Sequence, residues 1–131
     1  MLWEVLIVTG MALFDKAMAM LGYASSEGLN GKEDMLKKSL TFINLIYAEL
    51  YYPLKCVLGD NEFQPLTAIG QEIKLPKIIL DDVAPYGLAM YLAQSESDAD
   101  NQSLFASLYN QKRARSLYTG RVCDKLPHVW G

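Results

Sequence analysis

The chain has 131 residues, 51% of them hydrophobic, and its 12 Lys and Arg against 15 Asp and Glu leave a net charge of −3. That length fits one domain, and the apolar fraction supports a sizeable core and excludes a wholly disordered chain. The mild acidity gives the whole molecule no electrostatic reason to seek nucleic acid.

Residues 1–10 form an apolar arm in which Trp3 to Val8 is rich in bulky and β-branched residues before Thr9-Gly10 breaks the pattern. A signal peptide would open with positive charge, but Glu4 interrupts here and no Lys or Arg precedes Lys16. The apolar run is also too short to span a bilayer, so no targeting segment and no membrane partner are expected. From residue 11 to 21, Met11, Phe14, Met18 and Leu21 recur at helical steps with Asp15 and Lys16 opposite, and Gly22 supplies the C-cap. Residues 23–31 read as a loop, with Asn30 placed to cap the next helix three residues before Glu33.

The second helix is expected over residues 32–52 and ends at Pro53. Lys37, Thr41, Asn44 and Ala48 form one narrow polar or small strip, and apolar side chains cover most of the rest of the circumference. Such a helix must be covered on two sides, and a neighbouring subunit would supply the second cover in so small a domain. Residues 54–75 change character: Gly59-Asp60-Asn61, Pro65 and Gly70 predict a short β-hairpin or an extended loop. A third helix starts near Pro76 or Asp81 and runs to Ser95, with a kink at Pro85 if it starts early. Its small residues Ala84, Gly87, Ala89 and Ala93 mark where it meets a neighbour. Ser97 and Asp100 form a capping-box pattern for a fourth helix to residue 118, and residues 119–131 read as an extended tail. The expected architecture is therefore mainly α: one domain over residues 11–118, a bundle of about four helices with a β-hairpin or extended loop inserted between the second and third.

Chemistry is harder to find. The one histidine, His128, stands in the tail without a supporting scaffold, and with Cys56 and Cys123 it gives no paired zinc spacing. The two cysteines, far apart, suit reduced intracellular thiols better than a disulfide framework. Glu33-Asp34, Asp81-Asp82 and Asp98 with Asp100 lie near predicted helix starts, where capping explains them, and the glycines form no phosphate loop. No catalytic residue, metal site or cofactor is expected, and the chain does not read as an enzyme. The strongest local charge is basic: Lys112, Arg113, Arg115, Arg121 and Lys125, interleaved with Tyr109 and Tyr118. Cations at a helix C-terminus, contact with nucleic acid, or docking onto an acidic partner with Trp130 as an anchor all fit this pattern. Because the net charge is negative, docking is preferred to base contact.

The segments DKAMAMLGY, INLIYAELYY and LPKIILDDVAPYGLAMYLAQSESDADNQSLFASLYNQKRA together resemble the small helical head-to-tail connector proteins (adaptor or head-completion proteins) of tailed bacteriophages and prophages. The likeness covers residues 11–115 and is strongest over YGLAMYLA, the polar turn after it and FASLYNQ, which are packing motifs without catalytic content. It implies a helical bundle with an inserted hairpin or loop. It also implies a homo-oligomeric ring, commonly a dodecamer, that joins the portal to the next neck or tail component and helps retain packaged DNA. Such a protein resides in the virion neck, after assembly in the host cytoplasm, and DNA passes its channel without sequence recognition. On this reading Phe42, Ile46 and Glu49 make subunit contacts, and Phe63, Gln64, Leu66, Ile69 and Ile73 form the loop interface. Lys112, Arg113, Arg115, Arg121, Lys125 and Trp130 dock onto the portal. The alternative is a small cytosolic helical regulatory or nucleic-acid-binding module that uses its basic C-terminal helix.

Overall fold

A computed structural model describes residues 8–23, 29–54 and 63–118. Thr9 starts the first helix, α1 (Gly10–Leu21): its backbone is extended and its Oγ1 accepts the Ala12 N–H at 3.1 Å. The helix thus begins one residue ahead of the sequence expectation, and Val8 and Thr9 of the apolar arm are integral to the domain. Leu13, Phe14, Ala17 and Leu21 are buried, with Met11 and Met18 half-buried beside them. The helix ends at Gly22, as expected, in the left-handed region at φ 73°. The Gly22 N–H donates to the Ala19 carbonyl and the Tyr23 N–H to the Met18 carbonyl, which makes a Schellman cap.

Helix α2 (Leu29–Tyr51) continues into a 3-10 turn at Tyr52–Leu54 that holds Pro53. Asn30 lies inside the helix, so the expected Asn30–Glu33 cap does not mark its start. The buried positions Met35, Ser39, Ile43, Ile46, Tyr47, Leu50 and Tyr51 face the core, and Lys37, Thr41 and Leu45 face out. The second cover that this helix requires comes from the chain's own insertion. Asn44 pairs with the backbone of Leu66 in both directions, at 3.0 and 2.7 Å. The Lys74 N–H donates to the Tyr47 hydroxyl at 3.1 Å.

No strand forms among the described residues. Residues 63–76 are an extended loop and turn, and the expected Gly59-Asp60-Asn61 turn lies outside the described residues. The loop's backbone partner is the segment before α1: Thr9 and Glu72 form an isolated antiparallel bridge, flanked by Gly10 N–H to Gln71 O (3.0 Å) and Ile73 N–H to Val8 O (2.9 Å). Gly10 permits this approach, since a Cβ there would lie 2.7 Å from the Ile69 carbonyl oxygen.

The third expected helix is two helices. α3 (Lys77–Asp82) stops at Val83, and α4 (Ala84–Ser95) begins with Pro85 in its first turn. Proline has no N–H to give the Asp81 carbonyl four residues back. The Lys16 ammonium on α1 donates to that oxygen instead, at 3.0 Å. α4 is the centre of the domain: Ala84, Leu88, Ala89, Leu92 and Ala93 are almost wholly buried, and α1, α2, α3 and the last helix, α5 (Ala99–Tyr118), all pack on it. The four helices of twelve or more residues, α1, α2, α4 and α5, make the protein a mainly α helical bundle.

The turn between α4 and α5 departs from the capping-box expectation. Ser97 has φ 58° and closes α4 in a second Schellman cap, with Ser97 N–H to Gln94 O and Asp98 N–H to Ala93 O. The residue that starts α5 is therefore Asp98, whose carboxylate accepts the backbone N–H of Asn101 at 3.3 Å and its side-chain amide at 2.8 Å. Ser97 is committed to ending one helix and cannot begin the next.

Candidate functional site

The side chains singled out in the sequence lie on α2, the insertion and α5, and the structure brings two of these groups together. Glu49, half-buried on α2, accepts the Tyr109 hydroxyl of α5 at 2.6 Å and the Tyr91 hydroxyl of α4 at 3.0 Å. The Arg113 guanidinium approaches it at 3.6 Å and lies over the Tyr109 ring, 5.1 Å from its centroid. Burial first, and then the bond to Glu49, pushes both phenols above their ordinary ionisation range. A carboxylate that accepts from two phenols fastens three helices to one another.

The ring that makes this possible reaches α4 because Gly87 has no side chain. A Cβ at Gly87 would lie 2.7–3.0 Å from the Tyr109 ring atoms. Ala84, Ala89 and Ala93 are buried too, so the small residues do mark a close helix contact. The other residues expected to contact a neighbouring subunit fall differently. Ile46 is 1% exposed and packs in the chain's own core, so it presents nothing to another subunit. Phe42 is half-buried and stacks on Tyr91 at 5.4 Å between centroids.

The insertion also uses most of its apolar residues internally. Leu66 and Ile73 are buried, Ile69 is half-buried, and Phe63 packs against Tyr47, Tyr51 and Tyr52 at centroid distances of 5.0, 5.5 and 5.9 Å. Of the five expected interface residues only Gln64 is exposed, because the loop has to be anchored on α2 by its apolar side chains. What it presents outward is polar, charged or small, with Gln64, Thr67, Gln71, Glu72 and Lys74 among the exposed residues. Gln71 Oε1 accepts from the Thr67 and Ala68 N–H groups at 2.6 and 3.1 Å and holds the tip in one conformation.

On α5, Lys112 pairs with the Asp82 carboxylate of α3 at 3.0 Å and lies over the Tyr86 ring, 4.7 Å from its centroid. Lys112 and Arg113 thus share one arrangement, with an aromatic ring beneath the cation and a carboxylate beside it. Arg115 is exposed, and Arg121, Lys125 and Trp130 lie outside the described residues. The partners Asp82, Tyr86 and Tyr91 escape sequence reasoning because their pairings join residues distant in the chain. The Asp81-Asp82 pair reads as a helix start but ends α3, and the α3–α4 break is what turns Asp82 toward α5.

Among the described residues no group of His, Cys, Asp and Glu is placed to hold a metal ion, and no helix is long and apolar enough to cross a membrane. No family model, curated protein or solved structure matches the chain.

Proposed function

We propose that this protein is a virion structural component of a tailed phage, a connector that forms a ring in the neck between the portal and the next neck or tail component. The observation that carries the reading is the order of elements: a helical bundle with a long loop inserted between α2 and α3, the arrangement that the sequence resemblance implies. The loop supports a role in gripping a neighbouring layer, because its anchors on Asn44, Tyr47 and Gln71 hold its exposed tip ready for a partner without further ordering. The mechanism is geometric. Helix faces set neighbours in the ring, the polar loop tip meets one adjoining layer, and the basic end of α5 with the residues after it meets the portal. Packaged DNA is retained by the closed stack and passes the channel without base recognition. The role needs no catalytic group and no cofactor.

Electron microscopy of the purified protein mixed with portal particles tests this directly. A symmetric added layer on the portal is the expected result. A protein that stays monomeric and leaves the portal bare overturns the reading. DNA affinity that falls steeply with added salt, in the absence of portal binding, would favour the nucleic-acid module instead.

A further inference from the structure

The backbone pairing between the segment before α1 and the insertion sets a direction for the residues that precede it. Gly10 N–H to Gln71 O and Ile73 N–H to Val8 O flank the Thr9–Glu72 bridge, so the two segments run antiparallel and bond through alternate residues. In that register the next bonded pair is Leu6 with Leu75. Leu75 is 9% exposed, on the same side of its segment as the buried Ile73, and among the described residues nothing accepts its N–H. Lys74 and Pro76 fall at the positions whose nitrogens point away from the arm. Tyr47 accepts the Lys74 N–H at 3.1 Å, and proline has none to leave unpaired. The insertion therefore offers one more rung, and it faces the arm.

Past that rung the track meets Ile78 in the first turn of α3, at 66% the most exposed large apolar side chain among the described residues. Trp3 lies five residues before Val8 and Ile78 five after Ile73, so an extended arm at ~3.3 Å per residue spans the distance. The same register brings Glu4, the only charged side chain ahead of Thr9, to the level of Lys77. We infer that residues 2–7 dock on the chain's own insertion as an edge strand, with Leu6 paired to Leu75 and Trp3 laid over Ile78. The arm is the occupant because it enters the track already bonded and aligned at Val8, which a second copy or a foreign peptide would have to achieve from solution. Docked in this way it straps α1 to the loop and to α3, and covers a strand edge that would otherwise stand open. The inference goes beyond the connector reading and does not rest on it.

The test uses the full chain with Trp130→Phe, which leaves Trp3 as its one tryptophan. Iodide quenching of that tryptophan is measured alone, with Ile78→Ala, and with Leu104→Ala as a control at another exposed apolar position. Circular dichroism checks that each variant keeps its helix content. Trp3 is expected to be shielded relative to a free tryptophan amide, and Ile78→Ala to move its seated-to-free ratio about fivefold toward free, while Leu104→Ala changes nothing. Quenching as fast as that of the free amide, or shielding that is indifferent to Ile78, overturns the inference. The register is checked by oxidising Ile7→Cys with Lys74→Cys against Ile7→Cys with Lys77→Cys, both in a chain carrying Cys56→Ser and Cys123→Ser. The first pair, directly opposed, is expected to close a disulfide within one chain faster than the second. Equal rates overturn the inference, and bridges between chains that increase with protein concentration overturn it in favour of a second copy's arm.

Discussion

Helix α4 and the insertion over residues 63–76 both lie against α2, yet what holds their backbones differs. α4 is fixed by the absence of side-chain bulk: Gly87, Ala89 and Ala93 let α5 and α1 come close, and Leu88 and Leu92 fill what remains. The insertion buries Leu66 and Ile73 as apolar anchors but has no ladder for its backbone, and named polar groups, Asn44, Tyr47 and Gln71, stand in for the missing partners. A contact made by shape fails everywhere at once when it is overfilled. A contact made by separate hydrogen bonds fails locally and one bond at a time.

Gly87→Ala attacks the first kind of contact. The added methyl falls on the Tyr109 ring, which is 2% exposed and tied to Glu49, so the ring cannot give way cheaply. A loss of about 2 kcal/mol is expected, with the overpacking penalty outweighing the better helix propensity of alanine. Urea unfolding would show it as a lower midpoint with an unchanged slope. Asn44→Ala attacks the second kind. It leaves the Leu66 N–H and carbonyl without their partner, at about 1–2 kcal/mol, and hydrogen exchange should quicken at the Leu66 amide while the α4 amides keep their protection. Equal loss of protection in both regions would show that the two are one cooperative unit.

Ser97→Gly has the opposite sign. Serine at φ 58° pays a steric penalty that glycine avoids, so the variant should gain about 0.5–1 kcal/mol in thermal or urea unfolding. The smallest effect concerns Asp98, whose carboxyl the Asn101 side chain first, and then the Tyr23 hydroxyl, holds below its ordinary range. A carboxyl group whose pKa is lowered in the folded state favours folding above its unfolded pKa, and that contribution fades as pH falls through the folded pKa. Asp98→Asn should therefore flatten the acid limb of the stability–pH curve, and an unchanged limb would remove Asp98 from the account.

Much of the bundle was legible because its signals are local. The period of α1, Gly22 as its terminator, the small residues of α4 and the positions of the main helices all follow from neighbours within a few residues. The misplacements share a cause. Ser97 resembles an N-cap until the helix before it claims the same residue for its own end. Ile46 belongs to the apolar circumference of α2, and nothing in the sequence says which part of that circumference the insertion and α4 cover. The insertion's apolar residues read as outward grips, although they are the anchors that keep so long a loop on the domain. The ion pair of Lys112 with Asp82 depends on the α3–α4 break, which the sequence marks only through Pro85.

That break ties together two positions far apart in the chain. The Asp81 carbonyl lacks a donor because of Pro85 and regains one from Lys16. The two residues are consequently epistatic: replacing Lys16 matters while proline stands at 85, and matters less once an N–H is restored there. A lineage that loses the proline first is free to lose the lysine, and the reverse order passes through a less stable intermediate.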